Sequence, residues 1–372
     1  MKHADIIIIG AGLIGTSTAL NLARAGKKVF LLEKESSACH ASAVNAGGVR
    51  RLNRHFEEIP ISVAAMEMWP QMSALVGSDC GFRSHGQVHI APDENSMKFL
   101  TNRVAGVESL GFFHEELVDA TEIKLLVPAY KGKCKGGIVA RSDGFALPAV
   151  TLKAFFKTAC SQGVEAYANS KVSSITCGEN GFSVQTENGG LFESEILINC
   201  SGAWGGNIAA LLHEHLPIKP TALSMMVTAR MPRFLKPVVG VHGRKLSFKQ
   251  MDNGTVVIGG AHISFLEMNK ERTTLDFKEM RISASTVQEH FPIMKTASIV
   301  RCWAGIEGIT DDDLPIIGES QKTPGLFHVC GFSAHGFQLS PMIGRLVASL
   351  VQGKKPELPL DAFSVSRFKN PV

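Results

Sequence analysis

The chain has 372 residues, 45% of them hydrophobic and 19% charged, with a formal net charge of +4. That length is long for one core and suits two domains, and the composition excludes a disordered chain. The mild charge, with no basic run, excludes a polyanion binder, and no apolar run approaches the roughly 18 residues that a spanning helix needs.

The first strand opens within five residues of Met1, which leaves no room for a signal peptide. A buried apolar strand then runs into Gly10, Gly12 and Gly15, a helix follows, and a second apolar strand ends on Glu33. Each part has a physical job. Gly10 permits a tight turn, Gly12 lets the backbone approach a pyrophosphate, and Gly15 lets helix and strand pack closely. The helix start offers free N–H groups and a positive dipole end. Glu33, eighteen residues past Gly15, can accept hydrogen bonds from a ribose. The pattern indicates a dinucleotide site on a βαβ unit. It does not separate FAD from NAD, and an ordinary βαβ unit with a glycine turn is the plainer alternative.

Residues 36–54 form a polar, glycine-rich stretch, and 56–76 read as helical. A strand is expected at 86–90, charged helices at 95–126, a turn at 143–149 and a helix at 150–161. Strands follow at 164–168, 172–176, 182–186 and 193–200. Residues 222–230, 238–250 and 255–261 alternate as in an antiparallel sheet. A helix is expected at 274–290, a strand at 300–303, a buried strand leading out of 326, and a last helix at about 340–352, after Ser340-Pro341. The eight cysteines never fall within ten residues of one another, which excludes CxxC metal or redox motifs and local iron–sulfur spacing. A reduced cytoplasmic protein is the simplest reading. No metal-ligand set is evident.

The second informative stretch lies near the C-terminus. Gly305-Ile-Glu-Gly308 precedes an aspartate-rich turn, and Gly331-Phe-Ser-Ala-His-Gly-Phe-Gln338 leaves a strand and opens a helix. Such a helix start suits the anionic edge of a reduced isoalloxazine. A glycine turn before a last surface helix is the alternative.

These motifs, with residues 41–50 (Ala-Ser-Ala-Val-Asn-Ala-Gly-Gly-Val-Arg) and the Asp143-Gly144 turn, resemble the D-amino-acid oxidase/sarcosine oxidase superfamily of FAD enzymes over nearly the whole chain. Within it, the chain is most similar to catalytic β subunits of heteromeric sarcosine oxidase, opine oxidase and D-hydroxyproline dehydrogenase. The resemblance implies an α/β fold: a Rossmann-like FAD-binding domain (1–85, 143–218 and 300–372) with an inserted antiparallel-sheet substrate domain (86–142 and 219–299). It implies oxidation of a C–H beside an amine nitrogen to an imine. It places Gly10, Ala11, Gly12, Leu13, Ile14, Gly15, Glu33 and Lys34 on the ADP half. Ser42, Asn45, Ala46, Gly47 and Gly48 line the path from pyrophosphate to flavin, Val172 lies near the adenine, and Ser201, Gly202 and Trp204 face the ribityl side. Gly305, Gly308, Phe332, Ser333, His335, Gly336, Phe337 and Gln338 surround the isoalloxazine.

Departures from the family pattern refine this. Gly305 stands where monomeric sarcosine oxidases carry a flavin-linking cysteine, with Cys302 three residues earlier, so the resemblance implies non-covalent FAD. Gln338 stands where those oxidases tend to have a carboxylate-binding lysine. Carboxylate recognition then falls to arginines of the 50–54 segment, Arg51 and Arg54 first, which suit bidentate contact; solvated surface arginines are the alternative. Lys249 is expected near flavin N5, with an exposed sheet lysine as the alternative, and His335 near the ring. The absence of tyrosine beyond residue 221 argues against D-amino-acid oxidases and glycine oxidases. The implied partners are an α subunit and a small iron–sulfur subunit, with a second, non-covalent flavin, FMN, at a subunit interface. A flavin-bound subunit without turnover, a single-chain amine oxidase and an NAD-dependent dehydrogenase remain the other readings.

Overall fold

The computed structural model describes residues 2–36, 40–179 and 181–368; residues 37–39, including Cys39 within the glycine-rich stretch, lie outside them. Two large sheets organise the chain. In the first, Lys2–Ile9 is central, with Leu191–Asn199 parallel on one side and Val29–Leu32 parallel on the other. Leu326–Cys330 and Glu165–Tyr167 extend the parallel set outward. Ile6, Ile7 and Ile8 are almost wholly buried, as a parallel strand covered on both faces requires. Leu13–Arg24 and Gly336–Val351 cross so tightly on one face that a Cβ at Gly344 would lie 2.2 Å from Ser17 Oγ. Trp69 fills the gap between Ile59–Met68 and the last helix, and its Nε1 donates to the Gln338 carbonyl at 2.9 Å. Burying a side chain of that class contributes roughly 1.5–3 kcal/mol or more.

The second sheet runs in the order Ile299–Ile309, Lys219–Thr228, Val256–Glu267, Ser247–Gln250, Val238–Val241, Gln87–Ala91, Gly136–Ala140, Glu116–Asp119. It is antiparallel except at one seam. Val238–Val241 and Gln87–Ala91 pair parallel, and there the two separate excursions of the chain, around 86–142 and 219–299, join. Ile299–Ile309 is longer than the expected strand at 300–303 and pairs along its whole length with Lys219–Thr228, so it belongs to this sheet and not to the first. Phe277–His290 packs on the far face; it starts at 277 because the Asp276 side chain accepts from Lys278 N and Glu279 N. Among the described residues, no helix is long and apolar enough to cross a membrane.

The last helix starts at Gly336, four residues before its expected start, and carries Pro341 inside. Proline removes one backbone donor there. Ser340 Oγ donates to the Phe337 carbonyl at 2.9 Å instead, so the turn survives.

Asp143 ties the turn after Gly136–Ala140 to the 51–52 segment. Its carboxylate is fully buried and accepts from Arg51 N at 2.7 Å, Leu52 N at 2.9 Å and Arg51 Nε at 3.0 Å. Burial pushes its carboxyl up, and the Arg51 charge and these donors oppose that push. Asp143→Ala leaves those donors buried without an acceptor and should destabilise the fold by about 3–5 kcal/mol. Thermal melting followed by circular dichroism should show a midpoint several degrees lower; an unchanged midpoint would show that the junction does not depend on this carboxylate.

Candidate active site

The strand-to-helix turn at 10–12 opens a cavity of about 500 Å³ that reaches to the start of the last helix. Gly10 adopts φ +104, and a Cβ there would come within 2.5 Å of the Cys200 carbonyl oxygen, so only glycine fits. A Cβ at Gly15 would lie 2.0 Å from the Gly10 carbonyl oxygen, which keeps helix and strand close. The Leu13–Arg24 helix begins without a side-chain cap of its own. Ser42 Oγ, from a short helix Ala41–Val44, accepts from Leu13 N at 2.8 Å. Glu33 is buried, and its carboxylate accepts from Ala11 N at 2.9 Å and Glu35 N at 3.1 Å, which fixes the turn and leaves lone pairs toward the cavity. These features, a glycine cradle and a helix start aimed into a cavity, fit a dinucleotide.

Of the residues expected on the ADP half, Gly10, Gly12, Leu13, Ile14, Glu33 and Lys34 line this cavity, while Ala11 and Gly15 build the turn behind it. Ser42, Asn45, Val172, Ser201, Gly202 and Trp204 line it as well. Ala46, Gly47 and Gly48 do not. The Gly47 carbonyl accepts from Ala146 N at 2.9 Å, and Gly48–Val49 pairs with Gly144–Phe145, so this stretch is a girder beside the cavity. At the far end, Gly308, Phe332, Gly336 and Phe337 line the cavity. Gly305 instead packs against Val44, and Ser333 stitches the loop to the neighbouring strand, donating from its N to the Gly308 carbonyl at 3.0 Å and accepting from Thr310 N at 3.1 Å. That loop is strained: Ser333 and Ala334 both have left-handed φ, +47 and +64.

The five residues expected to do chemistry lie outside the cavity wall. Arg51 turns to Asp143, 92 residues along the chain, and lines a separate hollow with His114 and Arg141. Gln338 is fully buried. Its Oε1 accepts from Ser62 Oγ at 3.0 Å and its Nε2 donates to the Ser62 carbonyl at 2.8 Å, so its amide is spent on the fold. Arg54, 2% exposed, donates to Gln338 Oε1 and the His335 carbonyl, both at 3.4 Å, and its Nη1 has no partner among the described residues. Burial, with Arg50 adding, pushes it down to about 9, so it stays charged at neutral pH. His335 Nδ1 stands 2.9 Å from Glu58 Oε2, close but not aligned as a hydrogen bond. Burial, with Arg54 adding, holds the imidazole down at about 4, hence neutral. Burial raises Glu58, but His335, Arg54 and Arg50 outweigh it and keep the carboxylate ionised. Lys249 is buried, with burial alone pushing it down to about 7, and its Nζ donates to the Ala46 carbonyl.

Several lining residues fall outside the motifs that the sequence displays. At the end formed by the glycine turn, Lys171 and the connection 268–271 of the second sheet close over the cavity. Lys34 pairs with Glu271 there and sits 3.4 Å from the centre of the Trp204 ring. At the other end Glu307 projects from Ile299–Ile309, and burial alone pushes its carboxyl up to about 7. The acid between Ile306 and Gly308 was the available signal.

Comparison with known proteins agrees with this geometry. The chain is 26% identical to glycine oxidase of Geobacillus kaustophilus, over 99% of this chain and 98% of that one. The crystal structure of that enzyme superposes with a TM-score of 0.91, covering all of both chains at 22% identity. The chain is 24% identical to the B subunit of opine oxidase of Rhizobium meliloti, over 99% of this chain and 98% of that one. It is also 24% identical to the hydrogen cyanide synthase subunit HcnC of Pseudomonas aeruginosa, over 98% and 96%. The glycine oxidase is no less similar than the opine oxidase subunit, so overall identity does not follow the tyrosine count. A family model described as FAD dependent oxidoreductase (DAO) matches residues 5–350, and the chain belongs to that family.

Proposed function

We propose that this chain, an FAD-dependent oxidoreductase acting on CH–NH bonds, oxidises the C–N bond of a secondary amino acid of the opine, D-proline or D-hydroxyproline, or sarcosine type to an imine. We place it as the catalytic β-type subunit of a heteromeric enzyme. One observation carries the reading: a single cavity runs from the glycine turn of the first helix to the start of the last, so both ends present helix N-termini to one long anionic cofactor. Bound there, FAD supplies the two-electron acceptor; the protein supplies orientation and electrostatics. The first sheet and its helices hold the cofactor and the second sheet roofs the substrate.

The β-type placement is supported by two relatives whose names are those of subunits, that of opine oxidase and that of the cyanide synthase. A single-chain oxidase is the second reading, favoured by the glycine oxidase likeness. An anaerobic screen of sarcosine, D-proline, cis-4-hydroxy-D-proline, octopine and nopaline decides the substrate by bleaching of the bound flavin. Bleaching by none of them would refute the secondary-amino-acid reading.

The flavin is held without a covalent bond. Gly305 packs on Val44, and Cys302 turns to the core of the second sheet. Acid-precipitated holoenzyme should release its yellow colour to the supernatant, and colour kept in the pellet would contradict this. Gly12→Val puts branched carbons between helix start and cofactor, where even a single Cβ would lie 3.0 Å from Ser42 Oγ. Flavin content, read as the ratio of visible to ultraviolet absorbance, should fall more than tenfold, and full occupancy would displace the site. Co-purification from the native source should recover an α subunit. A stable monomer turning over fully with oxygen would favour the single-chain reading instead.

A further inference from the structure

Glu307 is the one ionisable side chain that lines the flavin end of the cavity among the described residues. The other charged lining residues, Glu33, Lys34, His40, Lys171 and Glu271, gather at the adenosine end around Trp204. Side chains alternate along the strand Ile299–Ile309. Trp303 Nε1 donates to the Val44 carbonyl at 2.7 Å, and a Cβ on Gly305 would come within 2.7 Å of Val44 Cγ2, so the odd positions face the Ala41–Val44 helix. Glu307 shares that face. Gly308 faces the opposite way, toward Gly202 and Ala203.

Among the described residues, the charged groups on the elements around Glu307 are held elsewhere; Lys249, which reaches the 41–48 segment from the second sheet, donates to the Ala46 carbonyl. Thr221 is its cross-strand neighbour, and Lys219 and Arg272 on the adjoining strands are exposed. His40, at the start of the Ala41–Val44 helix, answers to Lys34, Glu35 and Glu271. His335, at the last helix, is engaged by Glu58. Arg301 on its own strand lies over the Trp303 ring. A carboxyl left alone in a cavity calls for a cation or a proton.

We infer that Glu307 receives the cationic nitrogen of the substrate and takes its proton, so that the amine is free when oxidation begins. The inference rests on the amine-oxidation reading above. The step balances without any electron exchange. One N–H bond of the substrate ammonium breaks, one O–H bond forms on a Glu307 oxygen, and the lone pair stays on nitrogen. The proton returns to water when the product leaves. The carboxyl's position near pH 7 suits the task, because an ordinary carboxylate, near 4.3, is a poor base toward an alkylammonium near 10. The ionised form exists above about 7 and is lost below it.

Two measurements on the FAD-loaded protein test this. The first needs no turnover: tert-butylamine has no hydrogen on the carbon next to nitrogen and cannot be oxidised. Titrated against the flavin absorption spectrum, it should bind about tenfold more tightly at pH 8 than at pH 6, the ratio expected for a carboxyl ionising near 7. In Glu307→Gln that pH dependence should vanish while the FAD content stays the same. The second is the pH profile of kcat/KM for an amine that bleaches the flavin. The wild type should rise through about pH 7. Glu307→Gln should be about 10²-fold slower at pH 8 and recover toward wild type near pH 10, where the free amine is already abundant. A tert-butylamine affinity that does not change with pH, or a Gln variant that keeps the limb near pH 7, would overturn the assignment. Tightening with pH in a protein that no amine bleaches would uphold Glu307 as the cation site and refute the oxidation reading instead.

Discussion

The segment 41–48 is held from three sides, and the cavity depends on that grip. Ser42 caps the first helix through Leu13 N, Val44 accepts from Trp303 of the second sheet, and Ala46 accepts from Lys249 on a different strand of that sheet. Asn45 Oδ1 accepts from Gly47 N at 2.7 Å and keeps the bend between them. One peptide stretch therefore sets the distance between the first helix and the second sheet. A shift of the second sheet would reach the first helix through these three hydrogen bonds.

Charge is sorted along the cavity. Cations and acids mix at the end formed by the glycine turn, where Lys34 pairs with Glu271, while Glu307 is the one acid lining the other end among the described residues. Behind the last helix, Arg54, Glu58, Ser62, His335 and Gln338 form a buried polar knot. Such a knot is costly to break, because each group removed leaves another uncompensated. It braces the helix start that lines the cavity.

The first βαβ unit was legible because its signals are local: an apolar strand, glycines at fixed offsets and an acid at the next strand end. The full length of the strand Ile299–Ile309 is not legible in the sequence because Gly305 and Gly308 lower its strand propensity, although glycine is what lets Val44 and Gly202 come close. The helix start at Gly336 was hidden by Pro341, whose lost hydrogen bond Ser340 replaces. The arginines illustrate the harder limit. Nothing within the 50–54 segment says that Asp143 will claim Arg51 or that Gln338 will bury Arg54; those partners arrive from 92 and 284 residues away. Glu307 was legible as a residue but not as a site residue, because its environment is made by three other segments.

The parallel seam and the order of the first sheet bear on how the chain acquires its shape. Lys2–Ile9 is made before the other strands of its sheet, yet one of its two neighbours, Leu191–Asn199, is made almost two hundred residues later, and Leu326–Cys330 on the far side of that neighbour later still. In the second sheet, Gln87–Ala91 waits for Val238–Val241. Such distant pairings close slowly, since the loop entropy comes before the contacts that reward it. During synthesis the isoleucine-rich first strand carries one unpaired edge, open to pairing with other chains. This architecture makes the nascent polypeptide a natural client for chaperones until its last strand emerges, and it makes C-terminal truncation a route to aggregation rather than to a smaller working unit.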